Sequence, residues 1–194
     1  MATPEEALRQ YNDGQPDALR RHVERAVEEA LRLARLHGVD EERARLTALG
    51  HDIVRATPHD ELLRLAGEVG LEVSDLERAE PVLLHGAIAA RLLPQRFGVD
   101  DPVVLDAVRD HTTARAGMSA LEKVMYVADK TEPGGLKWFP EWAEVREIVE
   151  RDLDAALLRG IDLSIEHALK KGWLLHPDTI AAYNYMLLKR KRRG

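Results

Sequence analysis

The sequence predicts an all-α protein built as a helical bundle. Ala, Leu, Glu and Arg dominate the chain, and few stretches alternate apolar and polar residues as strands do. Polar capping residues recur in front of apolar stretches with helical spacing. The sequence shows no alternation of strand and helix patterns, no internal repeat and no glycine-rich phosphate loop. With 194 residues, the chain is expected to form a single domain over residues 1–194.

The first helical patterns end at the dipeptide His51-Asp52. A long helix is predicted from about Pro16 to His37, and Gly38 ends it in the way glycine commonly does. Asp40 is expected to cap a second helix, which leads to His51-Asp52. Thr57-Pro58 is typical of a cap followed by a first-turn proline, and predicts a short helix to about residue 66.

The second half of the chain continues with capping signals and helices. Ser74 and Ser119 each begin a capping-box pattern. The Ser119 pattern opens a helix that ends near Asp129. The other helices are predicted at about 81–96, 102–111, 141–158, 160–171 and 177–191.

Composition restricts the function classes. The net charge of −6, from 34 acidic and 28 basic residues, argues against broad nucleic-acid binding. The basic tail Lys189–Arg193 is therefore interpreted as a solvated end, with a nucleic-acid contact as the alternative. The N-terminal residues have neither a basic nor an apolar signal region, and no apolar run reaches 18 residues. We therefore expect a cytoplasmic protein with no membrane partner.

Four histidines and two aspartates are the candidate metal ligands. A single histidine on a helix is usually a core or surface residue, so the hypothesis depends on the set. Since the chain has no cysteine, a metal site must use imidazole and carboxylate, which suits iron, manganese, zinc or cobalt. Six ligands are enough for two metals that share a carboxylate, and paired metals are typical of phosphate-ester chemistry. The candidates are His22, His51, Asp52, His85, His111 and Asp129.

The order and the local motifs of these residues resemble the HD-domain metal-dependent phosphohydrolases. The similarity is strongest to the symmetrical bis(5′-nucleosyl)-tetraphosphatase branch, and it covers roughly residues 18 to 188. It implies an HD-type helical bundle with a metal-binding core at about 18–133 and a C-terminal helical extension at about 136–190. The motifs are Pro81–Gly86, His111-Thr112-Thr113, Met118–Lys123, Ala128–Pro133, Gly172–Thr179 and Ala181–Asn184.

The resemblance also implies a reaction and its cofactors. It implies hydrolysis of diadenosine tetraphosphate into two ADP by a hydroxide that two divalent metal ions activate. The metal is commonly iron, with manganese, cobalt or zinc as alternatives. A homodimer is a possible assembly, and the sequence does not determine the oligomeric state. The ligands of the first metal would be His22, His51, Asp52 and Asp129. Those of the second would be Asp52, His85 and His111, with Asp52 bridging.

The substrate-side residues follow from the same resemblance. Asp52 and Arg55 are the expected catalytic residues, and Arg55, Thr112 and Thr113 the expected substrate-binding ones. Arg55 follows Asp52 by one helical turn, and its guanidinium could bind phosphate oxygens bidentately. The alternative is a solvated arginine at a helix end.

The chain departs from the family pattern at three positions. The family usually has lysine at Arg55 and glycine at Ala114. It also has an arginine two residues after Pro133, where this chain has Gly135. Lys137 or Arg146 could replace that arginine.

Aromatic residues and two further histidines lie near the end of the predicted core. Trp138, Phe139 and Trp142 are expected to pack the last helices, with a base-stacking platform as the alternative. His167 is expected to be exposed and without a partner. His176, before a proline, is expected to mark the start of a helix, with a place near the site as the minority interpretation.

Two alternatives to the diadenosine tetraphosphatase remain open. One is another HD phosphohydrolase specificity, for guanosine tetraphosphate, deoxynucleoside triphosphates or cyclic dinucleotides; the last usually needs a Gly-Tyr-Pro signature, which is absent. The other is a non-catalytic HD module that senses nucleotides. The complete ligand set argues against a degenerate module.

Overall fold

In a computed structural model, which describes residues 2–193 apart from the side chains of Trp138 and Arg193, the chain is predominantly helical. Within that range it has no β-strand, which confirms the all-α prediction. Two short 3-10 helices, Pro81–Leu84 and Pro140–Trp142, precede α6 and α10. The α-helices are α1 Pro4–Asp13, α2 Asp17–His37, α3 Glu41–Gly50, α4 His59–Glu68, α5 Asp75–Ala79, α6 His85–Phe97, α7 Pro102–Asp110, α8 Ala120–Thr131, α9 Gly135–Trp138, α10 Ala143–Val149, α11 Leu153–Lys171 and α12 Pro177–Arg193.

The predicted capping residues begin their helices. Each side chain accepts a hydrogen bond from a backbone N–H of the first turn, which satisfies a donor without an intrahelical partner. Gly38, with φ +66°, ends α2 in the left-handed conformation that glycine adopts without strain. The caps confirmed in this way are Asp40, Ser74 and Ser119, and the structure shows a further cap of the same kind at Asp101.

Helix α8 lies at the centre of the bundle. It contacts α2, α3, α7, α10 and α11. The stretch Val124–Ala128 is fully buried, because a helix packed on several sides needs apolar residues around its circumference. Asp129, the next residue, thereby lies beside His22 of α2 and His51 at the end of α3.

The structure adds one helix at the N-terminus that the sequence interpretation did not include. Helix α1 begins with a capping box between Thr3 and Glu6. It buries Leu8 completely, and the Tyr11 hydroxyl donates to the backbone oxygen of Ile53. Helix α1 therefore packs against the segment that follows His51-Asp52.

The predicted helix boundaries between residues 141 and 171 are wrong. Helix α10 ends at Val149, and α11 begins after Asp152, whose side chain accepts from the N–H of Ala155. The break predicted between residues 158 and 160 does not exist, and Gly160 lies inside α11. A Cβ there would lie 2.9 Å from a ring carbon of Trp142, so this glycine allows close packing rather than a break.

Two smaller boundaries also differ from the sequence prediction. Pro58, rather than Thr57, occupies the cap position of α4. The α-helical part of the predicted 81–96 helix begins only at His85, after the 3-10 turn.

Within residues 2–193, no helix has both the length and the apolar character needed to cross a membrane.

Candidate metal centre

Six side chains from separate parts of the sequence converge at one end of the bundle. The elements that hold them are α2, the end of α3, the start of α6, the end of α7 and α8. All but two are buried, and His22 and Asp129 are partly exposed, so the centre is open to solvent on one side. The converging residues are His22, His51, Asp52, His85, His111 and Asp129.

The carboxylate of Asp52 lies between two groups of imidazoles. Its Oδ2 is 3.6 Å from Nε2 of His22 and 3.5 Å from Nε2 of His51. Its Oδ1 is 3.2 Å from Nε2 of His85 and 3.7 Å from Nε2 of His111. Each oxygen therefore faces a different group, as a bridging ligand requires.

Asp129 completes the first group. Its Oδ1 lies 3.1 Å from Nε2 of His22 and 3.7 Å from Nε2 of His51. Ligand atoms of these three residues all lie within 4.8 Å of one another.

The second group is built around Asp52 and His111. Ligand atoms of His51, Asp52 and His111 also lie within 4.8 Å of one another. His85 joins them, since its Nε2 is 3.0 Å from Nε2 of His111. Because His51 is close to both groups, the two candidate sites are contiguous.

Three of the four imidazoles are oriented by the backbone of their own helical turn. In each, Nδ1–H donates to the carbonyl oxygen three residues earlier, which fixes the tautomer and leaves the Nε2 lone pair for a cation. Imidazoles that have lost the proton at Nε2, together with carboxylates, form a donor set that fits divalent transition metals. The pairs are His51 with Ala48, His85 with Val82, and His111 with Val108.

His22 is oriented by a carboxylate instead. Its Nδ1 lies 3.3 Å from Oε1 of Glu132, which is almost fully buried. Glu132 in turn accepts from the guanidinium of Arg25 and from the N–H of Gly134. A carboxylate in this position raises the basicity of a ligating imidazole and fixes its ring.

Gly86 permits the close approach of α6 and α7. A Cβ at this position would lie 2.7 Å from the backbone oxygen of Arg109 and 2.9 Å from that of Val108. A larger residue would push the helices apart. Gly86 therefore helps to bring His85 within hydrogen-bond distance of His111.

Protons and carboxylates balance one another in the centre. Burial opposes the charge on His22, but Asp129 and Glu132 outweigh it and raise the pKa of His22 to about 10. Burial lowers the pKa of His111 to about 4. The pKa of Asp52 stays well below its usual range, because the charge of His51 overcomes the effect of burial. Without a metal ion, imidazole protons thus supply the positive charge that a cation would otherwise provide.

The centre opens into a cleft of about 430 Å³, here called the metal cleft, which Asp52, Arg55, His85 and Lys130 line. Arg55 is exposed at its edge, and its side chain forms no ion pair with the part of the chain that the structure describes. Thr112 Oγ1 lies 3.3 Å from Nε2 of His85, so Thr112 also borders the ligands.

Thr113 lies one step away from the ligands. Its backbone oxygen accepts from Thr179 Oγ1 at 2.7 Å, and it lines a second cavity rather than the metal cleft. Of the three expected substrate contacts, two therefore border the metal cleft and one does not.

The second cavity, of about 440 Å³, adjoins the metal cleft and is called here the aromatic cavity after Phe139, His167 and Trp173 in its lining. His167 was expected to be exposed and unpartnered, and this was wrong. It is half-buried, with its ring edge-to-face against Phe139 at 5.4 Å and Trp173 at 5.0 Å between centroids. Trp142 packs on Tyr126 and beside Gly160 of α11, which confirms for this residue that it packs a late helix, whereas the side chain of Trp138 lies outside the described residues. His176 both precedes α12 and lines the cavity.

Lys130 and Arg25 are cationic residues that the sequence interpretation missed. Lys130 Nζ lies 3.2 Å from Asp129 Oδ2 and 3.9 Å from the ring centroid of Tyr126. Arg25 occupies the space beside Gly134, where a side chain would overlap its guanidinium. Arg146 lies 3.7 Å from Glu29 and lines neither cavity.

Ala114 has φ +59° and is the only non-glycine residue with positive φ in the described range. This is the left-handed conformation, which explains why glycine is usual at this position in the family. The departure noted in the sequence therefore leaves local backbone strain directly after Thr113.

The protein-family model of the HD domain matches residues 19–134, which is more than half of the chain. The protein belongs to the HD-domain family. This HD protein is 35% identical over 166 residues to a symmetrical bis(5′-nucleosyl)-tetraphosphatase of Bacillus subtilis (strain 168), covering 86% of the chain and 88% of that relative. It is 36% identical over 170 residues to a protein of the same name in Halalkalibacterium halodurans, covering 88% and 89% respectively.

A solved structure gives the same result for the fold. The HD protein superposes with a TM-score of 0.88 and 34% identity on a predicted HD superfamily hydrolase involved in NAD metabolism from Clostridium acetobutylicum, covering 94% of this chain and 96% of that one. The chain is thus an HD-domain hydrolase, and its HD domain, with the cluster of histidines and aspartates, implies binding of a divalent metal.

Proposed function

We propose that this HD protein hydrolyses diadenosine tetraphosphate symmetrically into two ADP, with two divalent metal ions, iron first among them. The observation that carries the two-metal part is the position of Asp52, whose two oxygens face different imidazole groups. The names of the two relatives support the substrate and the symmetrical cleavage.

The proposed ligands divide into two sets that share Asp52. The first set is His22, His51, Asp52 and Asp129, and the second is Asp52, His85 and His111. Ions held there would act as Lewis acids on phosphoryl oxygens and would make water a strong nucleophile at neutral pH.

The residues of the metal cleft fit a polyphosphate. Arg55 has no ion-pair partner within the described residues, so its guanidinium is available to bind two phosphate oxygens. Lys130 stands beside Asp129 with Nζ donating to the backbone oxygen of His111, and adds a fixed positive charge. The Thr112 hydroxyl can donate to a phosphate oxygen. These groups would hold the phosphate chain and stabilise the charge that develops on the transferring phosphoryl group.

A substrate panel tests the proposal. Metal-replete protein is incubated with diadenosine tetraphosphate, guanosine tetraphosphate and deoxynucleoside triphosphates, and the products are resolved by chromatography. We expect diadenosine tetraphosphate to give ADP alone, with the highest kcat/KM of the panel. A higher kcat/KM for guanosine tetraphosphate would favour the other HD specificity. No turnover of any nucleotide, with metal bound, would favour the non-catalytic sensing module.

A further inference from the structure

The aromatic cavity contains side chains that the proposed chemistry does not use. Its volume of about 440 Å³ falls within the range of roughly 300–1,000 Å³ that is typical of small-molecule sites. Leu163 and Ala168 contribute aliphatic surface, and Phe139, His167 and Trp173 contribute rings. Such a lining suits a flat, largely apolar group.

Two of the rings are unusually exposed for their size. Trp173 is 58% exposed and Phe139 is 42% exposed. Both are held in position, because the ring of His167 contacts each of them edge-to-face. The cavity thus presents positioned aromatic surface to solvent, which costs free energy unless a ligand covers it.

The aromatic cavity is continuous with the metal cleft. His22, Thr112, Asp129 and Lys130 line both. A ligand with phosphates at the metals can therefore extend directly into the aromatic cavity. A molecule that joins a phosphate chain to a flat aromatic ring is a nucleotide.

We propose that the aromatic cavity binds one nucleobase of the substrate, which stacks on Trp173 and Phe139 while its phosphates occupy the metal cleft. This rests on the proposed function and extends it to the determinant of base recognition. His167 is a positioning residue that holds the two stacking rings.

Only one of the two nucleobases of a dinucleotide is recognised in this way. Beyond the candidate ligands and residues shared with the aromatic cavity, the described lining of the metal cleft consists of Leu19, Arg55 and Val82, with no aromatic ring. The second nucleoside of a dinucleotide is therefore held through its phosphates. As a consequence, ADP, with one base and two phosphates, should show the full contribution of stacking.

Binding of ADP and pyrophosphate separates the base from the phosphates. Both are titrated calorimetrically into metal-replete protein, for the wild type, Trp173→Ala, Trp173→Phe and Phe139→Ala. Tyr185→Ala is the matched control, since Tyr185 is 43% exposed and lines neither cavity. We expect Trp173→Ala to weaken ADP binding roughly tenfold, in the range measured for stacking of one base on an aromatic side chain. Pyrophosphate affinity should be unchanged, and Trp173→Phe should retain most of the ADP affinity.

Other outcomes would overturn the inference in distinguishable ways. Wild-type protein that binds pyrophosphate and ADP equally would refute base stacking and leave the proposed function intact. Wild-type protein that binds neither ADP nor pyrophosphate would refute both the inference and the proposed function. A Trp173→Ala variant that weakens both ligands equally would show a general effect on the cleft. If Trp173→Ala changes the mass measured by sedimentation relative to the wild type but preserves the ADP affinity, the exposed rings form a contact between copies of the chain. That result would also refute the inference.

Discussion

Oδ1 of Asp52 lies 3.2 Å from Nε2 of His85, whereas the other oxygen of the same carboxylate faces His22 and His51. This division would let a single residue bind both of the proposed cations. Because Asp52 directly follows His51 in the sequence, the end of α3 supplies ligands to both groups.

Asp52 and His85 should therefore differ in their effect on metal content. Asp52→Ala removes the bridging carboxylate and is expected to impair both sites, whereas His85→Ala removes a ligand of the second site only. We expect the first variant to retain little metal and the second to retain about one ion per chain, by elemental analysis after reconstitution with ferrous iron or manganese. His59→Ala, an exposed histidine on α4, is the control. Equal metal loss in the two variants would contradict the bridging arrangement.

Arg55 should affect turnover and leave metal binding unchanged. Removal of one well-placed group that stabilises transition-state charge costs on the order of 10²-fold in rate. Arg55→Ala is thus expected to lower kcat/KM by about that factor, with normal metal content. Arg91→Ala, another exposed arginine that lines neither cavity, is the matched control. Unchanged kinetics would identify Arg55 as a solvated surface residue.

Glu132 should act through His22. Loss of a carboxylate that orients a ligating histidine typically costs about 10- to 100-fold in metal affinity or activity. We expect Glu132→Gln to weaken manganese binding to that extent, measured by competition with a chelator. Glu29→Gln is the control, because Glu29 is also a buried carboxylate paired with an arginine but lies away from the centre. Similar metal affinity in the two variants would show that Glu132 has only a structural function.

The raised pKa of His22 predicts a pH dependence for metal binding. A metal binds neutral imidazole, so it must displace the proton that His22 holds with a pKa of about 10. Between pH 6.5 and 9, each pH unit should raise the apparent metal affinity by up to about tenfold for each proton displaced. Calorimetric titration with manganese across this range tests it, and an affinity independent of pH would contradict it.

The same shift has a consequence for the stability of chelator-treated protein. The pKa of His22 rises from 6.5 to about 10 on folding. The associated stabilisation is therefore complete below pH 6.5 and is lost as the pH rises toward 10. The pKa of Glu132 is lowered to about 2, so protonation of this carboxyl changes the stability only at acid pH. It leaves the range between pH 6.5 and 10 unaffected.

Much of the fold follows from local signals in the sequence. Asp40, Ser74 and Ser119 cap the helices that they were expected to cap, because capping depends on residues three positions apart. Helix α1 carries the same kind of signal at Thr3 and Glu6, so the sequence would have been sufficient to predict it. The helix around Gly160 could not be predicted in this way, because the reason for that glycine is the ring of Trp142.

The candidate site also contains residues that local sequence patterns indicate and residues that they do not. The converging ligands follow from an ordered motif, and the structure brings all six together. The partnership of Arg25 with Glu132 joins residues more than a hundred positions apart, and no local pattern indicates it. His167 was misjudged for the same reason, because its partners Phe139 and Trp173 lie on other segments.

Hydrolysis in oxygen-18 water tests the central claim most directly. Metal-replete protein is allowed to cleave diadenosine tetraphosphate, and the products are separated and analysed by mass spectrometry. Attack of water on an inner phosphorus, with ADP as leaving group, predicts ADP as the sole nucleotide product, with label in half of its molecules. AMP and ATP as products would mean that an outer anhydride bond is cleaved, and would contradict the proposed function.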